Sequence, residues 1–332
     1  MTRSPVRPHL VLAVAGIALA GCEGVQSALY ASGVEAREIR LLFWVATGVC
    51  AAVLLLVMVI GTLALAGSTR VRAWLAREQL VIALGLILPV VVLSGLLTYA
   101  LLVLQAGAAR NASATDSSVT IVGKRWWWEV VYRDADGRSV VSANELRLPL
   151  GRPVSLRLVS DDVIHSFWAP NIAGKLDMIP GRVNRLTIQS DKLGVSRGQC
   201  AEYCGGPHAL MAFHVVTLPD AEYQAWLARE ASTARVPTTA AQRRGAALFI
   251  ESGCGACHSI RGTEARGTIG PDLTHVGSRV SIGAATLPAD AASFARWITD
   301  NQHIKPENLM PPFRHLAPED LDALAAYLAS LD

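Results

Sequence analysis

The sequence predicts a multidomain protein: a transmembrane helical hairpin, then an all-β sandwich, then an all-α domain. Three observations carry this. Residues 41–66 and 80–104 are apolar runs, each longer than the roughly 20 residues a spanning helix requires. Short segments farther on alternate apolar with polar, as half-buried strands do. Near the end, Leu321, Leu324, Ala325 and Leu328 form an apolar stripe at helical spacing. A chain of 332 residues is too long for one small domain, which agrees with this division. With 52% hydrophobic and 17% charged residues and a net charge of +3, the composition is that of a membrane-anchored chain. It gives no electrostatic reason to expect a nucleic-acid partner.

Residues 10–20 follow Arg3 and Arg7 and are too short to span a bilayer, so residues 1–21 read as a signal segment. Leu19-Ala20-Gly21-Cys22 resembles a bacterial lipoprotein cleavage box, with Cys22 as the lipidated new terminus. Residues 22–40 are then an external N-terminal segment and residues 41–107 the hairpin. Arg70, Arg72 and Arg77 between the two spans place that loop in the cytoplasm and both hairpin ends outside. Pro89 is expected to kink the second span, and Cys50 to serve packing in the first. Glu78 reads best as a carboxylate at a helix N-terminus, favoured by the helix dipole.

A polar linker, residues 108–118, opens the segment assigned to the sandwich, residues 108–219. Val154-Ser-Leu-Arg-Leu158 and Leu186-Thr-Ile188 alternate, and Asp136-Gly137 marks a turn between two strands. The pattern suggests antiparallel pairing. Trp126-Trp127-Trp128 cannot all enter one core from one strand, because successive side chains point to opposite faces. Residues 220–229 read as a short amphipathic helix, residues 231–239 as a mobile linker, and residues 241–332 as the helical domain.

Cys200-Ala-Glu-Tyr-Cys204-Gly-Gly-Pro-His208-Ala-Leu-Met211 sets two thiols, an imidazole and a thioether in one loop. Soft sulfur with imidazole suits copper or zinc, and the thioether favours copper. A disulfide beside a surface histidine is the plain alternative. Against it stands His165, a second imidazole in Asp162-Val-Ile-His165-Ser-Phe-Trp168. A second pattern, Cys254-Gly-Ala-Cys257-His258, is the attachment motif for c-type haem, with His258 as proximal ligand. Met310, in Asn308-Leu-Met310-Pro-Pro-Phe313, is the expected sixth ligand; Met/His ligation raises a haem's potential. His275, His303 and His315 are rivals that fit the pattern less well. The six cysteines need no structural disulfide.

The metal loop, with every position of Cys-x-Glu-x-Cys-x3-His-x2-Met filled, resembles the CuA centre of subunit II of the haem–copper oxidases. The resemblance implies a cupredoxin-type Greek-key sandwich whose metal loop joins its last two strands, the final one covering residues 214–218, with His214 as no ligand. It further implies Cys200 and Cys204 as bridging thiolates, with His165 and His208 on one copper each. Met211 and the Glu202 carbonyl complete the shells. The Glu202 carboxylate would help hold Mg at the contact with subunit I, and Trp126 would be the residue through which electrons arrive. Gly270-Pro-Asp-Leu273, Gly245, Phe249 and Tyr327 resemble class I cytochrome c positions, the last three at a helix crossing.

Together these features imply subunit II of a caa-type cytochrome c oxidase with a fused cytochrome c. Subunit I and also subunit III would be partners. A cytochrome c or a quinol–cytochrome c reductase would be the donor, and the site of action the cytoplasmic membrane of a bacterium with both redox domains outside. Alternatives are the CuA subunit of a nitric oxide reductase and a free-standing membrane electron carrier. An acid helping to admit protons near Glu78 is a property of relatives, but the position nearer Pro89 is apolar here.

Overall fold

The computed structural model describes residues 24–113, 119–134 and 136–332; the signal segment and Cys22 lie outside them. The chain forms two compact units, Glu35–Ser113 and a larger one holding the rest. The smaller contains α1 (Val34–Ala66), α2 (Thr69–Leu75), α3 (Glu78–Ile82) and α4 (Leu88–Ser113). Val34–Ala66 and the continuous run Glu78–Asn111 are long and apolar enough to cross a membrane. Ahead of Pro89 the helix passes through a π turn at Ala83–Ile87, so the irregularity expected there takes that form. Glu78 begins α3, as its reading at a helix N-terminus requires.

Both spans outlast their apolar cores. The first starts at Val34, before residue 41, and the second runs to Ser113, into the stretch expected to be linker. Hydropathy marks where apolar contact ends and is silent on where helical hydrogen bonding ends. Arg110 extends the pairing by a bidentate bond to Glu38, at 2.9 and 2.6 Å. Cys50 lies on the exposed surface of α1.

The larger unit has two lobes. In the first, one sheet has the order β3 (Ser139–Ala143), β2 (Trp127–Arg133), β1 (Val119–Lys124), β5 (Val154–Ser160) and β8 (Asn184–Ile188). The other runs β4 (Glu145–Pro149), β10 (Ala212–Leu218), β9 (Gly194–Cys200), β6 (His165–Trp168) and β7 (Leu176–Met178). The sandwich is not wholly antiparallel: β1 pairs with β5, and β4 with β10, in parallel. Strands that cross between sheets produce these pairs, and alternation within a strand cannot reveal them. Asp136-Gly137 does turn β2 into β3, with Arg133 opposite Ser139. Trp128, Tyr132, Leu146, Leu156, Leu158, Phe167 and Met178 fill the space between the sheets. The segment before α1 lies along this lobe, where Ser32 donates its N–H to the Asn171 carbonyl at 2.6 Å.

The chain leaves the sandwich through α5 (Asp220–Glu230), whose Trp226 packs edge-on against Tyr132 at 5.0 Å. Residues 231–239, expected to be mobile, are pinned. Ala234 N–H reaches the Arg261 carbonyl at 2.8 Å, and Arg235 pairs with Asp332 at 2.9 Å.

The second lobe has α6 (Ala240–Glu251), α7 (Ala291–Ile304) and α8 (Pro318–Ala329), plus a short ribbon of β11 (Ser281–Ile282) and β12 (Leu287–Pro288) that departs from the all-α expectation. A capping box of Thr239 and Gln242 starts α6. Helices α6 and α8 cross at Gly245, where an added Cβ would strike the Ala323 carbonyl and lie 2.6 Å from the Tyr327 Cβ. Phe249 and Tyr327 meet edge-on at 6.3 Å beside the crossing. Buried Glu145 ties the lobes together by accepting the Val280 N–H at 2.8 Å. His214, on β10, adds a 3.0 Å bond to Ser281 Oγ.

Candidate functional site

The loop between β9 and β10 is drawn shut where Cys200 N–H donates to the Met211 carbonyl at 2.8 Å. A 3-10 turn at Gly206–Leu210 brings His208 back toward Cys204, whose Sγ lies 3.5 Å from His208 Nδ1 and 3.7 Å from Met211 Sδ. His165 opens β6, which pairs with β9 through Phe167 opposite Cys200. That register sets His165 Nδ1 3.8 Å from Cys200 Sγ, while the Glu202 carbonyl lies 3.2 Å from the same sulfur. The ligand atoms of His165, Cys200 and Cys204 all lie within 4.8 Å of one another, and all three residues are buried. All six predicted donors therefore converge. Two thiols, two imidazoles, a thioether and a carbonyl, largely sealed from water, fit a copper pair better than a four-ligand zinc site.

Asp162 completes the cluster. Its Oδ1 lies 2.8 Å from His165 Nε2, which fixes the ring proton there and leaves Nδ1 facing the sulfur. Burial pushes the Asp162 carboxyl up, but bonds from His165 and from the Val163 and Arg125 N–H groups outweigh it and lower its pKa. Burial pulls His165 down, and its contacts with Cys200 and Asp162 reverse that to a net rise. The two thiols share a hydrogen bond, which lowers the pKa of Cys200 and raises that of Cys204.

The helical lobe contains an apolar cavity of about 260 Å³ lined by Cys254, Cys257, His258 and Met310 together with Phe294, Trp297 and Leu324. His258 Nδ1 is 2.7 Å from the Pro271 carbonyl, which accepts the Nδ1–H and leaves Nε2 for a metal. Burial lowers the His258 pKa and so keeps the ring neutral. Gly270 makes this approach possible, since a Cβ there would stand 2.8 Å from His258 Nδ1. On the cavity wall, Arg279 is buried and its Nε has no partner among the described residues. Arg279, with Arg125 and Lys305 also on the wall, sets cationic groups in a mainly apolar crevice, which fits the carboxylate edge of a haem. His275 is engaged elsewhere, near the carbonyls of Ser232 and Asp332, both at 3.3 Å.

Trp126 lies between the two sites. It precedes β2 rather than lying on it, so the strand carries only Trp127 and Trp128 of the three indoles. Trp128 is buried among Phe167, Phe213 and His165, and Trp127 is half-buried. Trp126 is 8% exposed, donates from Nε1 to the Cys204 carbonyl at 2.9 Å, and lines the cavity of the helical lobe. The Glu202 side chain is 45% exposed, with its carboxylate 4.0 Å from Lys175 Nζ. Sequence reasoning missed Asp162, Arg279 and Lys305. The first could have been suspected from its place three residues before a candidate ligand.

A sulfur-rich loop on a β-sandwich and, in the adjoining helical lobe, a crevice lined by a haem-attachment motif are the two candidate centres. Residues 132–218 match the family model described as the periplasmic domain of cytochrome c oxidase subunit II, and residues 242–332 match the cytochrome c family. The chain therefore combines a domain of the cytochrome c oxidase subunit II family with a domain of the cytochrome c family. A cytochrome c oxidase subunit 2 from Alkalihalophilus pseudofirmus is 36% identical over 64% of this chain and 60% of its own length. One from Bacillus sp. strain PS3 is 32% identical over 67% of this chain and 65% of its own. The chain thus spans somewhat under two thirds of the length of these relatives. The crystal structure of the periplasmic domain of cytochrome oxidase subunit II from Bradyrhizobium japonicum is 30% identical, with a TM-score of 0.32, covering 34% of this chain and 91% of that one.

Proposed function

We propose that this chain is subunit II of a caa-type haem–copper oxidase, delivering electrons from its own cytochrome domain through a CuA centre to subunit I, where oxygen is reduced to water with proton translocation. The observation that carries this is the placement of Trp126, bonded to the copper loop on one side and lining the haem crevice on the other. His165, Cys200, Glu202 through its carbonyl, Cys204, His208 and Met211 would hold the copper pair. Cys254, Cys257, His258 and Met310 would hold the haem. Both groups supply reversible one-electron chemistry.

The chain's own residues set the conditions for it. Asp162 and the Pro271 carbonyl hold ring protons on the far nitrogens of His165 and His258, so the near ones stay free. The buried loop and apolar crevice exclude water, which limits reorganisation on electron arrival. The exposed Glu202 carboxylate is suited to help hold Mg at the contact with subunit I. Subunit III is a further partner, and a cytochrome c or a quinol–cytochrome c reductase the donor. With Arg70, Arg72 and Arg77 cytoplasmic, both redox lobes lie on the outer side of a bacterial cytoplasmic membrane.

Purification of the complex, with optical and paramagnetic-resonance spectra and an oxygen-uptake assay, tests this. A c-type haem, a delocalised copper signal and cyanide-sensitive oxygen uptake are expected. A chain that purifies alone with both spectra would instead be a free carrier. Turnover of nitric oxide without oxygen uptake would reassign the complex.

A further inference from the structure

Lys305 is only 3% exposed, although it follows α7 at the edge of the helical lobe. Among the described residues no carboxylate pairs with it. Its Nζ donates instead to three main-chain carbonyls: Trp126 at 2.6 Å, Leu210 at 2.9 Å and Gly283 at 3.2 Å. A lysine amine buried this way surrenders its hydration, so burial lowers its pKa to about 7. Plain stability would be served as well by an apolar residue of similar volume, and a buried polar group with fixed partners more often specifies one arrangement.

Two of the three acceptors lie on the other lobe and flank its redox site. One belongs to Trp126; the other closes the turn just before Met211. The segment that begins at Lys305 leads to Met310, whose N–H donates to Asn308 Oδ1 at 3.0 Å and whose carbonyl accepts from Gln302 at 3.0 Å. Between them, the Glu307 carboxylate lies directly against Gly206 of the copper loop, where an added Cβ would have to push it aside. The geometry points to Lys305 as a positioning residue that clasps the Met310 loop to the copper loop with Trp126 held between. It thereby fixes the distance and orientation across which an electron passes from one lobe to the other. This role rests on the two-centre function proposed above.

Lys305→Met in the full chain, purified with its complex, removes the three bonds and keeps an unbranched side chain one atom shorter. Three readouts are taken: the haem and copper spectra, the rate of haem oxidation by the copper centre after rapid mixing, and amide exchange in residues 123–128 and 205–211. Unchanged spectra, a transfer rate lower by about tenfold and faster exchange in both segments are expected, since the bonds of Glu145 and His214 still join the lobes but no longer hold the Met310 loop in register with the copper loop. Intact spectra with an unchanged rate would overturn the clasp while leaving the two-centre function standing. Loss of stability with no change in rate would also overturn it. Absence of either spectrum in the unsubstituted chain would defeat the two-centre function itself. If the Met variant does not fold, Lys305→Gln, a donor one atom shorter, is read by the same criteria.

Discussion

The indole Nε1 of Trp126 donates to the carbonyl oxygen of Cys204 across 2.9 Å. One side chain is thereby joined to the backbone of a candidate metal ligand while its ring lines the crevice of the neighbouring lobe. Trp126→Phe keeps an aromatic ring but leaves that buried carbonyl unpaired, at a cost of about 1–3 kcal/mol. The variant should bind both groups, show a small shift in the copper spectrum and transfer electrons between lobes more slowly. A rate equal to the parent's, measured by stopped flow, would remove Trp126 from the route.

Asp162→Asn tests the support of His165. The amide has the same shape but no charge, and it can present its NH2 to the ring in place of an acceptor. Copper affinity should fall by about 10–100-fold, the usual loss when a ligand's orienting partner is removed. Competition against a copper chelator measures it, and an unaltered midpoint would reduce Asp162 to a surface turn residue.

Gly245→Val places a branched side chain where α6 meets the Ala323 carbonyl. The helices must part, at a cost of about 2 kcal/mol. Denaturation followed at the haem absorbance band should show the helical lobe melting earlier. Coincident curves for variant and parent would mean that the crossing has room to spare.

Burial, the dominant cause, lowers the pKa of His214; nearby Glu145 works against it and Arg197 with it. The unfolded chain then takes up the proton first. The stability tied to neutral His214 is whole above its unfolded pKa of about 6.5 and is lost as pH falls from there through the folded value. Thermal midpoints should decline between about pH 7 and pH 5, and His214→Gln should decline less. Parallel slopes for the two proteins would place the acid sensitivity elsewhere.

The candidate site was legible because covalent and coordinate bonds demand fixed spacings. Cys200 to Met211 and Cys254 to His258 are each one local stretch, and only His165 and Met310 had to be brought from afar. What escaped detection depends on contacts between distant residues. Lys305 and Trp126 stand 179 positions apart, and nothing local to either announces the bond. The parallel pairing of β1 with β5 is hidden for the same reason, since alternation fixes which face a residue takes but not its neighbour. Asp162 is a different case: an acid three residues before a histidine is common, and only the 2.8 Å approach gives it meaning. The spans were found but their ends were not, because Arg110 and Glu38 prolong the hairpin by charge pairing that hydropathy counts as a boundary.

Trp126 is almost wholly covered, and part of that cover is the helical lobe clasped by Lys305. A seat so filled is closed to visitors. In the proposed function, a soluble reductant gives its electron to the cytochrome lobe first, and the next handover passes through that filled seat. Raising the concentration of such a reductant can therefore speed only the first handover; the second runs at a pace written into the chain, indifferent to how crowded the surrounding fluid becomes.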